Sequence, residues 1–261
     1  MPHHLDALWL AVSPSFKCFD RPLLRCLSNS AAIAQWEYGL DLDEACSFEA
    51  ALMMLHDYLK QRDRPIDLIG HSTSGLLGLL YAQRHPERVR SLTLLSVGFH
   101  PAQTWQSHYY AQRQILPCSR QQILTHFVHG LFGYQERSMI GTLVKVLEMD
   151  LDCALSPHSL LRQISLPPIE VDVPLLVCGS VDDIVIEPSQ FQRWQQHFQQ
   201  TKSRSRVWLC PGGRHLFQYT YPQQLSGEIL KFWQSTAAPI EDLPLPIDRS
   251  IESSAMNAPL I

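Results

Sequence analysis

Three short stretches of this 261-residue sequence carry side chains that could act on one another. They read Gly70-His71-Ser72-Thr73-Ser74-Gly75, then Gly179-Ser180-Val181-Asp182-Asp183, then Pro211-Gly212-Gly213-Arg214-His215. A serine hydroxyl attacks carbon poorly until a base takes its proton, and a histidine does that best when an acid fixes its tautomer. Together these side chains predict nucleophilic catalysis, on condition that the fold gathers them. Register within the first stretch singles out Ser72. A nucleophile on a sharp strand-to-helix turn needs small residues two positions away on either side. Ser72 has Gly70 and Ser74 there, whereas Ser74 would have Leu76.

Short apolar runs alternate with longer amphipathic patterns along the chain. This predicts an α/β fold, a mostly parallel sheet of about six strands with helices on both faces. The expected strands are Leu5–Val12, Ala31–Trp36, Ile66–Ile69, Val89–Leu95, Val173–Cys178 and Arg206–Cys210. Helical patterns cover Arg21–Leu27, Phe48–Lys60, Ser74–His85, Ser189–Gln199 and Pro222–Trp233. Ser72 thus falls at the start of a helix, whose unpaired N–H groups and positive dipole end would stabilise an oxyanion. The Thr73 N–H is the natural donor. The aspartate pair follows one strand and His215 follows the last, so both belong to the edge where Ser72 emerges. That carboxyl-terminal edge is where open parallel sheets place their sites.

The rhythm breaks between Leu95 and Val173. A structureless loop of that length is out of keeping with a compact protein, and Gln121–Leu131 and Gly141–Met149 read as helices. A helical cap is therefore expected over residues 99–168, inserted between core segments 1–98 and 169–235. Residues 236–261, with four prolines among polar residues, read as a flexible tail.

With Gly70-His71-Ser72-Thr73-Ser74, the aspartate pair and His215 in that order, the sequence resembles the α/β-hydrolase superfamily over about Leu5 to Trp233. The resemblance implies a doubly wound sheet, a nucleophile elbow at Ser72 and a catalytic triad of Ser72, His215 and an acid. Family spacing after Gly179 assigns the acid to Asp182 and leaves Asp183 as a solvated loop charge. It implies hydrolysis of an ester or thioester of a small or apolar acyl group through an acyl-enzyme, with no cofactor. Two stretches depart from the family pattern. The turn after the first strand reads Ala11-Val12-Ser13-Pro14-Ser15-Phe16 instead of carrying a His-Gly pair, and Gln35-Trp36-Glu37-Tyr38-Gly39 lacks the usual Asp and glycines. Pro14 has no N–H, so Ser13 is the expected second oxyanion donor. The same triad also serves C–C hydrolysis, perhydrolysis and acyl transfer, and a catalytically weak ligand- or protein-binding module is the alternative from another class.

Composition narrows the partners. The net charge of −4 carries no basic excess for nucleic acid or an anionic membrane. No run reaches the roughly 18 apolar residues of a membrane span, and Met1-Pro2-His3-His4 does not open a secretory signal. Seven cysteines without a C-x-x-C pair fit a reducing cytoplasm. A small-molecule acyl substrate is the expected partner. His126 and His129 lie three apart without a third ligand, so no metal site is expected. His71 reads as structural. Trp105, Tyr109, Tyr110, Phe127 and Phe132 make the cap aromatic, as an acyl-pocket wall or as plain packing.

Overall fold

The computed structural model describes residues 6–40, 46–201 and 204–237. Six strands form one sheet: β1 (Ala7–Ala11), β2 (Ile33–Glu37), β3 (Ile66–His71), β4 (Val89–Leu95), β5 (Leu175–Ser180) and β6 (Arg206–Cys210). Their order is β2-β1-β3-β4-β5-β6, and every neighbouring pair is parallel. The chain winds outward from β1 to β2 and then back past β1 to β3. The winding direction therefore reverses between β1 and β3, the position at which doubly wound sheets open a crevice.

β1 reads Ala-Leu-Trp-Leu-Ala and is buried throughout, as a strand covered on both faces must be. Successive side chains alternate between faces. Leu8 and Leu10 join a core with α2 (Phe48–Leu59), α3 (Thr73–Arg84) and α7 (Pro188–Thr201). Ala7, Trp9 and Ala11 join a second core, with α1 (Lys17–Ser28) and α9 (Pro222–Ala237). Three helices lie between β4 and β5: α4 (Trp105–Ile115), α5 (Arg120–Phe132) and α6 (Arg137–Cys153). A single turn, α8 (Phe217–Thr220), follows His215.

Several boundaries move from their expected places for identifiable reasons. β5 opens at Leu175 because Pro174 has no N–H for the ladder. α1 starts at Lys17, four residues ahead of the expected Arg21, and carries Pro22 inside it. α4 was not expected at all. It begins with a capping box in which Thr104 and Ser107 bond each other's backbone N–H. Helix α9 runs on to Ala237, and the remainder of the expected 236–261 tail lies outside the described residues. Among the described residues no helix is long and apolar enough to cross a membrane.

Candidate active site

β3 runs into α3 through Ser72, which adopts φ 50° and ψ −119°. That conformation is costly for a side-chain-bearing residue and persists only where the surroundings impose it. Here they do. A Cβ on Gly70 would come within 2.6 Å of the Gly75 nitrogen and of the Ser74 carbonyl, so only glycine lets the turn close. The Ser72 N–H donates to the Leu95 carbonyl at 2.8 Å, tying the turn to the end of β4.

Ser74 has a task that the sequence did not disclose. Its hydroxyl accepts the Val12 N–H at 3.1 Å, joining the first turn of α3 to the turn after β1. A glycine would fit the local backbone but could not make this bond. Ser74→Ala is expected to strand the buried Val12 N–H and lower stability by about 1–3 kcal/mol, read from the midpoint of urea unfolding. The same turn holds Ser13, and its neighbours' N–H groups are engaged: Val12 to Ser74, and Phe16 to the Ser13 carbonyl at 3.0 Å. With Pro14 unable to donate, Ser13 stands across the β1/β3 switch point from Thr73, the first residue of α3.

His215 follows β6 and is fully buried. Its Nδ1 lies 3.0 Å from Oδ2 and 3.2 Å from Oδ1 of Asp183. The expected partner was Asp182, and the structure corrects that by one residue. Asp182 turns the other way: its Oδ1 accepts the Ser180 hydroxyl at 2.6 Å and the Arg214 N–H at 2.8 Å. Asp183 is not a solvated charge but is 5% exposed. Its Oδ1 also accepts the N–H groups of Val185 at 2.8 Å and Ile186 at 3.2 Å, a local turn that points the carboxylate inward. Burial pushes the Asp183 carboxyl up, but His215 and these N–H donors outweigh it and hold the group below its ordinary range.

His215 is fixed from its other side as well. The His215 carbonyl accepts from His71 Nε2 at 2.9 Å and from the Ser96 hydroxyl at 3.0 Å. His71 is the residue before Ser72, and its ring lies 4.9 Å from that of His215, edge to face. Burial, then the nearby His215, pull the His71 imidazole down to about 3, so it is a neutral donor at any physiological pH. Among the buried polar atoms without a hydrogen-bond partner, three lie at this edge: Ser72 Oγ, Thr73 Oγ1 and His215 Nε2. Native folds seldom leave such atoms unpaired unless they are used.

The helices between β4 and β5 close over this edge. Arg214 Nη1 donates to the Gly130 carbonyl of α5 at 3.2 Å, and Gly130 leaves room for the Ile184 side chain, which a Cβ would strike. His108 of α4 bonds the Val185 backbone, and burial holds its imidazole below its ordinary value. Neither contact had a local sequence signal. Of the aromatic residues, Trp105, Tyr109 and Phe127 are buried against one another with ring centroids 5.9–6.4 Å apart. Their place is core packing.

Residues 44–151 match the family model described as alpha/beta hydrolase fold. An uncharacterized protein of Synechocystis sp. is 43% identical over 235 residues, covering 90% of this chain and 92% of that protein. A second, from Nostoc sp., is 41% identical over 234 residues with the same coverage. Among solved structures, a thermophilic esterase superposes with a TM-score of 0.64 over 88% of this chain and 90% of its own, at 16% identity. At that identity the likeness is one of fold.

Proposed function

The chain belongs to the α/β-hydrolase superfamily, and on that premise we propose that it is a serine hydrolase with Ser72 as nucleophile, His215 as base and Asp183 as the orienting acid. One observation carries the proposal. The His215 ring is held at Nδ1 by a buried carboxylate, while its Nε2 and Ser72 Oγ are both buried and without a hydrogen-bond partner.

In this reading Ser72 Oγ attacks the carbonyl carbon of an ester or thioester as its proton passes to His215 Nε2. The carbonyl oxygen takes up the negative charge and is met by the N–H groups of Thr73 and Ser13 at the positive end of α3. The intermediate collapses, the alkoxide or thiolate leaves with the proton from His215, and the acyl group stays on Ser72. Water then gives a proton to His215, attacks the acyl carbon, and releases a carboxylic acid while Ser72 recovers its proton. Asp183 stabilises the imidazolium in both halves and stays ionised. Residues 99–168 act as a cap that excludes water from the acyl group. The substrate is a small molecule with a small or apolar acyl chain, and no cofactor takes part.

The test is intact-mass detection of a covalent adduct with a fluorophosphonate probe, followed by turnover of a panel of p-nitrophenyl esters and acyl thioesters. One adduct per chain, mapped to Ser72, is the expected result. A folded protein that takes up no probe and hydrolyses no member of the panel overturns the reading, and a ligand retained through purification would favour the binding-module alternative.

A further inference from the structure

Helix α6 buries a carboxylate that is none of the three residues above. Asp150 is 1% exposed. Its Oδ1 accepts the Ser15 hydroxyl at 2.7 Å, and its Oδ2 accepts Trp105 Nε1 at 2.9 Å and Gln106 Nε2 at 2.8 Å. The Ser13 side chain faces it as well. The groups that face Asp150 from the β1 turn and from α4 are thus two serines, an indole and an amide, and no cation pairs with it among the described residues. Burial raises its carboxyl to about 6, against the pull of these donors.

A buried, uncompensated carboxylate is a poor device for packing helices, because an apolar side chain would do so without desolvating a charge. What a carboxylate supplies is direction: strong bonds to donors at set positions. One of its donors, the Ser15 hydroxyl, lies in the Val12–Ser15 segment after β1. That segment has no glycine, and within its own turn it is closed by the Phe16 N–H on the Ser13 carbonyl at 3.0 Å. It is gripped from α3 through Ser74 and, just past α6, through the Leu155 N–H on the Val12 carbonyl at 3.1 Å.

We infer that Asp150 is a positioning residue for catalysis, holding the Ser13–Ser15 turn so that the Ser13 N–H faces the oxyanion formed at Ser72. This rests on the serine-hydrolase reading, and it makes the cap a part of the oxyanion site as well as its cover. Removing the Ser15 hydroxyl frees the turn without touching the core of the cap. Ser15→Ala is expected to lower kcat and the rate of fluorophosphonate labelling by about 10- to 100-fold at temperatures well below unfolding, with KM unchanged, while the stranded Asp150 oxygen lowers the thermal midpoint. Ser15→Thr, which keeps the hydroxyl, restores kcat. Asp150→Asn lowers kcat to a similar extent, and the double variant loses no more than either single one. Trp105→Phe cuts one of the two α4 bonds, leaves the Ser15 bond in place, and keeps kcat. A reactive wild type whose Ser15→Ala variant has unchanged kcat overturns the inference alone, as does a kcat loss that follows the thermal midpoint across all variants. A wild type that neither labels nor turns over any ester overturns the hydrolase reading first, and the inference falls with it.

Discussion

Ser72→Ala is expected to abolish probe labelling and to reduce turnover by about 10⁴- to 10⁶-fold, the scale set by removing the nucleophile from a triad that acts as a unit. Ser74 Oγ is not free to take over, because it is engaged by the Val12 N–H, and Thr73 lies within α3, past the turn that Ser72 forms. Retained labelling, or an adduct moved to Ser74, would overturn the register that makes Ser72 the nucleophile. The same position offers an opposite readout. Ser72 holds φ 50°, a conformation that glycine adopts freely. Ser72→Gly should therefore be equally inactive yet more stable by about 1–3 kcal/mol, seen as a higher thermal midpoint. A residue kept in strain at the cost of stability is one held there for its chemistry.

The second large effect separates two adjacent carboxylates. Asp183→Asn removes the acceptor from His215 Nδ1 and presents an amide N–H in its place, so the imidazole takes the wrong tautomer. A loss of about 10⁴-fold in kcat is expected. Asp182→Asn breaks only the contacts to Ser180 and to the Arg214 N–H, and less than about 10-fold should be lost. Equal effects, or the reverse order, would overturn the assignment. The two substitutions also differ in acid. The Asp183 carboxyl lies below its ordinary value in the fold, so its stabilising contribution is complete above that ordinary value. It is lost as the pH falls through the lowered one. Asp183→Asn should flatten that acid limb of the stability curve.

Much of the architecture was readable in the chain because strands covered on both faces leave continuous apolar runs. β4 and β6 stand where those runs predict, and β3 continues to His71, so the run at Ile66–Ile69 marked the strand that carries Ser72. The choice between Asp182 and Asp183 was not readable in the same way. Side-chain direction alternates predictably within a strand but not in the turn that follows it, and two identical residues there leave composition no vote. The Asp183 bonds to the Val185 and Ile186 N–H groups decide it in the fold, but Asp182 precedes Ile184 by the same two residues, so a turn of that kind fits either aspartate in the sequence. Asp150 was hidden for a different reason. It lies among Glu148 and Asp152 on α6 like any surface acid, and its partners stand 135, 45 and 44 residues away. Only tertiary structure sets it apart.

The order of the strands has a consequence for how this protein comes into being. β1 to β4 are adjacent in the sheet and are synthesised first, whereas β5 and β6, which bring Asp183 and His215, are added at the far side. His71, beside the nucleophile, and His215 are 144 residues apart. At roughly 5–20 residues per second, Ser72 leaves the ribosome about 7–30 s before His215 does. On the proposed triad, Ser72 is through that interval an ordinary alcohol in a nascent chain, unable to take an acyl group from passing metabolites. A product truncated anywhere before β6 should be as inert, so reactivity and completion of the sheet arrive together.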